Sequence, residues 1–218
     1  MKNILFDLDG TLTDPFLGIT RSVAYSLKSF GIEVEDLKTL KRFIGPPLDV
    51  SFREYYGMDE KQSWQAVEKY REYFSQKGLY ENKLYDGIDA FLQDLVNQGF
   101  QLFVCTSKPE VFAEKILDYF SLTKYLTGIY GATLDGRLKN KGDIIACCLQ
   151  QEQLNHQDCI MVGDRQHDII GAHQNQIPCI GVLYGYGDLE EFQKYQCDYI
   201  VEDLKELKKI IEEWTNAK

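Results

Sequence analysis

The stretch Asn3-Ile4-Leu5-Phe6-Asp7-Leu8-Asp9-Gly10-Thr11-Leu12-Thr13-Asp14 decides how the rest of the chain is read. Ile4, Leu5 and Phe6 form a short apolar run without a turn residue. Such a run reads as a strand buried on both faces, the kind found in a parallel sheet. Two carboxylates, Asp7 and Asp9, follow it directly, and then Gly10. If strand geometry continued to residue 9, both acids would project to one face and be buried under packed helices. Two unpaired buried carboxylates are very costly. The chain therefore leaves the sheet near Leu8, helped by Gly10, and both acids reach a polar cleft beyond the strand's carboxyl end, where open α/β sheets bind ligands. The plain alternative is an Asp-rich turn, since Asp, Gly and Thr all suit turns. Three acids within eight residues, directly after an apolar strand, weigh against it.

The whole chain sets bounds on that reading. With 218 residues, 44% of them hydrophobic, it suits one core domain plus an insertion, or two small domains. A net charge of −10 argues against a nucleic-acid polymer as the main partner. An acidic protein that binds a phosphate must gather positive charge locally, from a metal, a lysine or backbone N–H groups. None of the six cysteines forms a C-x-x-C pair, and Cys105, Cys159 and Cys179 sit inside apolar runs. This predicts core cysteines without a disulfide framework. No signal peptide and no membrane-spanning run is visible, so the expectation is a soluble cytoplasmic protein.

After Asp14 the pattern becomes helical. Ile19, Val23, Leu27 and Phe30 recur at helical spacing up to Gly31, and further helices are predicted over about residues 34–43, 48–56 and 59–75. Four helices in a row, with no convincing strand, predict an all-helical module over 15–84, inserted after the first strand of a core formed by 1–14 and 85–218. Because it leaves the chain beside the carboxylates, it is expected to act as a cap over the cleft. From Tyr85 onward strands and helices alternate, with strands over about residues 101–105, 129–132, 158–162, 177–183 and 199–201. That alternation predicts a doubly wound α/β core with a parallel sheet and right-handed crossovers.

Chemistry collects where strands end. The second strand ends in Thr106 and Ser107, and the fourth in Asp164, with Asp168 four residues on. In a parallel sheet these ends share one edge with Asp7 and Asp9. Carboxylates gathered this closely raise one another's pKa, a divalent cation resolves the repulsion, and an all-oxygen donor set favours Mg2+. Hydroxyls and backbone N–H groups around Ser107 suit phosphate oxygens. Lys141, at a helix start, supplies a compact charge, with Lys139 as the alternative. Each residue also has a plainer reading: Thr106-Ser107 as a helix cap, Asp168 as a salt-bridge partner of Arg165.

Asp7-Leu8-Asp9-Gly10-Thr11-Leu12-Thr13-Asp14 resembles the first signature of the haloacid dehalogenase superfamily, D-x-D-G-T-[LV]-x-D. Val104-Cys105-Thr106-Ser107-Lys108-Pro109 is similar to its second motif, and Lys141 in Asn140-Lys141-Gly142-Asp143 to its third. Gly163-Asp164-Arg165-Gln166-His167-Asp168 is similar to its fourth, G-D-x-x-x-D. The helical insertion, Gly45-Pro46-Pro47-Leu48 and Val182-Leu183-Tyr184-Gly185-Tyr186-Gly187 resemble its phosphoglycolate phosphatase and 5′-nucleotidase-like branch. The resemblance implies hydrolysis of a small phosphorylated metabolite through an aspartyl-phosphate. In it Asp7 is the nucleophile and Asp9 the general acid and base. Asp7, Asp9 through its backbone carbonyl, Asp164 and Asp168 serve the metal, and Gly10, Thr106, Ser107 and Lys141 hold the phosphate. An acid at position 9 favours phosphate-ester chemistry over dehalogenation or phosphonate cleavage.

Two rivals stand beside this reading. A sugar-phosphate mutase of the same superfamily uses the same nucleophile and acid. A phospho-accepting regulatory domain is of another class, and such receivers lack a second acid two residues on. Arg42, Arg53, Tyr55, Tyr56 and Tyr85 are candidates to line the substrate space, and core packing is the alternative for each. A monomer and a cap-mediated homodimer are both compatible with the sequence.

Overall fold

The computed structural model describes residues 2–216. Contacts divide them into two compact units, one of residues 2–13 and 84–216 and the other of residues 14–83. In chain order the strands are β1 (Asn3–Phe6), β2 (Thr13–Asp14), β3 (Lys83–Leu84), β4 (Gln101–Pro109), β5 (Gly128–Ala132), β6 (Cys159–Gly163), β7 (Cys179–Val182) and β8 (Tyr199–Val201). The helices are α1 (Phe16–Lys28), α2 (Leu48–Tyr56), α3 (Glu60–Tyr73), α4 (Ile88–Asn97), α5 (Glu110–Tyr119), α6 (Lys141–Gln151), α7 (Gln166–Gln174), α8 (Leu189–Lys194) and α9 (Leu204–Asn216).

The first unit is a doubly wound α/β core. Its sheet has six strands in the order β5-β4-β1-β6-β7-β8, every pair parallel. β1 lies in the middle, with Phe6 in register with Val104 on one side and Val162 on the other. The chain builds outward from β1 through β4 to β5, then returns to β1's other side through β6. That reversal opens a crevice at the carboxyl ends of the strands. The apolar run of β1 is buried on both faces, as its composition requires. Leu5 packs with Phe103, Met161, Ile144 and Ile169, while the Phe6 ring meets Phe91 of α4 edge-on at 6.3 Å.

The second unit is helical. Val23 and Leu27 of α1, Phe52 of α2, and Val67 and Tyr70 of α3 are buried. α3 begins with a reciprocal cap, Asp59 accepting the Gln62 N–H at 2.8 Å and Gln62 returning its amide oxygen to the Asp59 N–H at 3.0 Å. The stretch expected as a helix over 34–43 is a 3-10 helix over Leu37–Phe43, entered through Asp36, whose side chain accepts the Lys38 N–H. Its few apolar residues, Leu40 and Phe43 among them, leave too little apolar face to hold a longer α-helix against its neighbours. α3 passes into a π-turn over Phe74–Gly78, past the predicted end. The helix α8, with a single buried residue, Phe192, was not visible as a period in the sequence.

Candidate active site

Asp7 extends the β1 ladder by one bond, its N–H donating to Val162 O at 2.9 Å. The chain then folds back at once. Leu8 O accepts the N–H groups of Leu12 and Thr13 at 2.9 and 3.0 Å, and the Gly10 N–H reaches Thr13 O at 2.7 Å. Gly10 sits at φ +91°, and a Cβ there would run into the Asp164 carboxylate, so both its conformation and its contact demand glycine. Asp7 and Asp9 are buried, only 5% and 7% exposed. The expected escape of both acids into a wet cleft is replaced by burial against lysines, which supply the compensating charge that solvent would have given.

Asp7, Asp164 and Asp168 each offer an oxygen to a group whose members lie within 4.8 Å of one another. Lys141 Nζ holds this group together. It lies 2.8 Å from Asp7 Oδ1 and 2.8 Å from Asp168 Oδ1, and donates to Cys105 O at 2.9 Å. The two carboxylate contacts are close in charge but poorly aimed as hydrogen bonds, since Asp7 Oδ1 and Asp168 Oδ1 are left without a well-directed donor. It is Lys141 rather than Lys139 that reaches Asp7, because the start of α6 points it at the ends of β1 and β4.

Asp164 is fully buried at the end of β6. Its Oδ2 accepts the Tyr186 N–H at 2.8 Å, and Thr11 Oγ1 stands 3.5 Å from its Oδ1. Asp168 caps the start of α7, its Oδ2 accepting the N–H groups of Asp164 and Arg165 at 3.1 and 3.0 Å. The Arg165 side chain goes elsewhere, to Glu191 at 3.1 Å. Thr106 is buried, and its Oγ1 accepts the Lys108 N–H at 3.2 Å, a bond within the end of β4 that does not cap α5. Ser107 is half-buried beside it.

Two contributors were not legible beforehand. Lys108 Nζ pairs with Asp9 Oδ2 at 2.7 Å, both side chains almost wholly buried. The loop after β7 closes over Asp164: Tyr186 donates to it, a Cβ on Gly185 would strike Asp164 and Gly10 O, and Tyr184 Oη donates to Thr11 O at 3.1 Å. Tyr85 meets the Tyr184 ring at 5.0 Å, which gives it a packing role. In the helical unit the Arg42 guanidinium lies 4.2 Å over the Tyr55 ring, and Arg53 pairs with Asp49 at 3.3 Å.

Burial, followed by the neighbouring Asp168 and Asp7, holds the Asp164 carboxyl well above the usual carboxylate range. Burial likewise pushes Asp168 up to about 6, with Lys141 pulling it back. With all four acids ionised, Lys108 and Lys141 leave the site two positive charges short of neutrality. A buried all-oxygen cluster with that deficit fits one hard divalent cation. In the metal-free protein the folded state holds the Asp168 proton more tightly than the unfolded chain does. That contribution is therefore fully present below about pH 4 and is lost as pH rises to about 6. Chelation is expected to lower Tm more at pH 7.5 than at pH 5, read by paired melts with magnesium and with EDTA.

Comparison with known proteins agrees with this geometry. The family profile described as haloacid dehalogenase-like hydrolase matches residues 4–182. A 5′-nucleotidase of Pseudomonas aeruginosa is 48% identical over 210 residues, covering 96% of this chain and 95% of its own. The crystal structure of a predicted phosphatase from Clostridium acetobutylicum superposes with a TM-score of 0.95 at 50% identity, covering 97% of this chain and 98% of the other. The Protein Tyrosine Kinase A (PtkA) of Mycobacterium tuberculosis shares the fold at a TM-score of 0.83 and 34% identity, covering 96% and 97%. With the matched span running from β1 to β7 and enclosing every acid of the cluster, the chain belongs to the haloacid dehalogenase-like hydrolases and is a phosphatase among them.

Proposed function

We propose that this chain is a Mg2+-dependent phosphomonoester hydrolase that works through an aspartyl-phosphate on a small phosphorylated metabolite of the nucleoside 5′-monophosphate or phosphoglycolate class. The observation that carries the reading is the buried meeting of Asp7, Asp164 and Asp168 within 4.8 Å at the carboxyl ends of adjacent parallel strands. The 5′-nucleotidase relative supports the nucleotide class.

Asp7, Asp9 through its backbone carbonyl, Asp164 and Asp168 are the residues that would hold the cation, which when bound neutralises charge on the phosphoryl oxygens. An Asp7 oxygen attacks phosphorus in line, forming the acyl-phosphate bond as the ester P–O bond breaks. Asp9 gives its proton to the departing alcohol, then takes one from the water that cleaves the intermediate. Gly10, Thr106, the Ser107 N–H and Lys141 hold the remaining oxygens. Lys141 releases one of its three present contacts to do so. The choice of alcohol is assigned to the helical unit.

The test is a panel of nucleoside 5′-monophosphates, phosphoglycolate and sugar phosphates, assayed for inorganic phosphate with magnesium and with EDTA. Multiple turnovers with magnesium alone, and an alkali-labile phosphate on acid-quenched protein, are expected. No phosphate released from any monoester overturns the reading, and an isomerised sugar phosphate in its place assigns a mutase.

A further inference from the structure

Lys108 is buried, 8% exposed, and lysine is almost never buried without a partner. Its partner is Asp9 Oδ2, at 2.7 Å. The contact comes from an irregular stretch of backbone. Along β4 and β5 the register runs Cys105 with Tyr130 and Thr106 with Gly131, then jumps to Pro109 with Ala132. Ser107 and Lys108 are thus set outside the ladder, in a bulge of the kind that re-aims side chains beside functional sites. Thr106 Oγ1 fastens the bulge by accepting the Lys108 N–H. The result divides the labour of the two Asp9 oxygens. Oδ2 is held by the ammonium, whereas Oδ1 is buried without a hydrogen-bond partner among the described residues. A buried ion pair adds little to stability over an apolar pair of the same shape, so stability alone does not account for the arrangement.

Resting on the assignment of Asp9 as proton donor, we propose that Lys108 is a positioning residue for the leaving-group step. It fixes Asp9 by Oδ2 so that Oδ1 is the atom that exchanges the proton. As the ester P–O bond breaks, the Oδ1–H bond breaks and the alcohol O–H bond forms. The carboxylate left behind carries its new charge beside the Lys108 ammonium. An alkyl leaving group needs that proton, and an activated phenol leaves nearly as well without it.

The experiment compares a nucleoside 5′-monophosphate with p-nitrophenyl phosphate for wild type, Lys108→Met and Lys108→Arg. For Lys108→Met, kcat on the alkyl ester is expected to fall 10- to 100-fold further than on the aryl ester, with KM for both near wild type and partial recovery in Lys108→Arg. Equal loss on both esters, a rise in KM with kcat unchanged, or no loss overturns the proposal. In an Asp9→Asn background, adding Lys108→Met is expected to leave the nitrophenol burst unchanged, and a further drop shows a role independent of Asp9. If Lys108→Met does not fold, Lys108→Arg and the double variant carry the same comparison. Melts of the metal-free proteins, in which the double variant is expected to melt above Lys108→Met, read the coupling without turnover, and a double variant that melts no higher counts against it. A wild type that cleaves neither ester fails the phosphatase assignment itself, a result distinct from failure at Lys108.

Discussion

Asp7→Asn is expected to lose turnover of every phosphate ester by about 10^4-fold or more, the scale seen when a nucleophile is removed from a working constellation. The amide is isosteric but cannot form the acyl-phosphate. The fold should survive, because Asp7 keeps its N–H bond to Val162 and Lys141, losing one ion-pair partner, keeps Asp168 and Cys105 O. The metal-free variant is expected to melt at or above the wild type, since the substitution removes one of the like charges that raise Asp164 and Asp168. Kinetics of the purified variant and its melting curve check both halves. Full activity in Asp7→Asn would end the aspartyl-phosphate mechanism.

Lys141→Met is expected to damage stability and rate together. Lys141 is 5% exposed and spans Asp7, Asp168 and Cys105 O, so its loss strands two buried carboxylates and a carbonyl. Removing one partner from a buried pair costs about 3–5 kcal/mol. In a chain of this size that lowers the metal-free Tm by about 10 °C. Its folded pKa is raised, so the stabilisation it gives is present throughout the neutral range and is lost only in strong alkali. Magnesium should return part of the Tm, because a dication can take up the charge of the stranded acids. It should not return the rate, which is expected to stay about 10^2- to 10^3-fold down for want of a donor to the phosphoryl oxygens. A variant with wild-type kcat and reduced stability would confine Lys141 to structure.

The sheet and its acid-bearing edge could be read in advance because they rest on short-range signals. An apolar run that ends in Asp-x-Asp-Gly has few foldable placements, and strand–helix alternation leaves few topologies. Asp7, Asp164 and Asp168 were placed at one edge by that logic alone, and they meet there. The pairing of Lys108 with Asp9 was hidden because it depends on a bulge, and residues 101–109 carry no glycine to announce one. The clamp of Tyr184 and Tyr186 on Thr11 and Asp164 was hidden for another reason. It works through a backbone N–H and a hydroxyl reaching a carbonyl, and neither leaves a charge pattern in sequence. The helix expected over 34–43 is realised as the 3-10 segment Leu37–Phe43, and its winding is not legible because the spacing fits either period over so short a run.

The central place of β1 carries a consequence for biosynthesis. β1 precedes the other strands of its sheet, yet its neighbour β6 is made only after β4 and β5. Until then one side of β1 is an open edge, and Asp7 has neither Lys141 nor the later acids beside it. A nascent or prematurely terminated chain therefore cannot perform the chemistry, and its bare strand invites chaperones or neighbouring chains. Catalytic competence in this architecture waits on β6 and α7, the elements that bring Asp164 and Asp168 to β1.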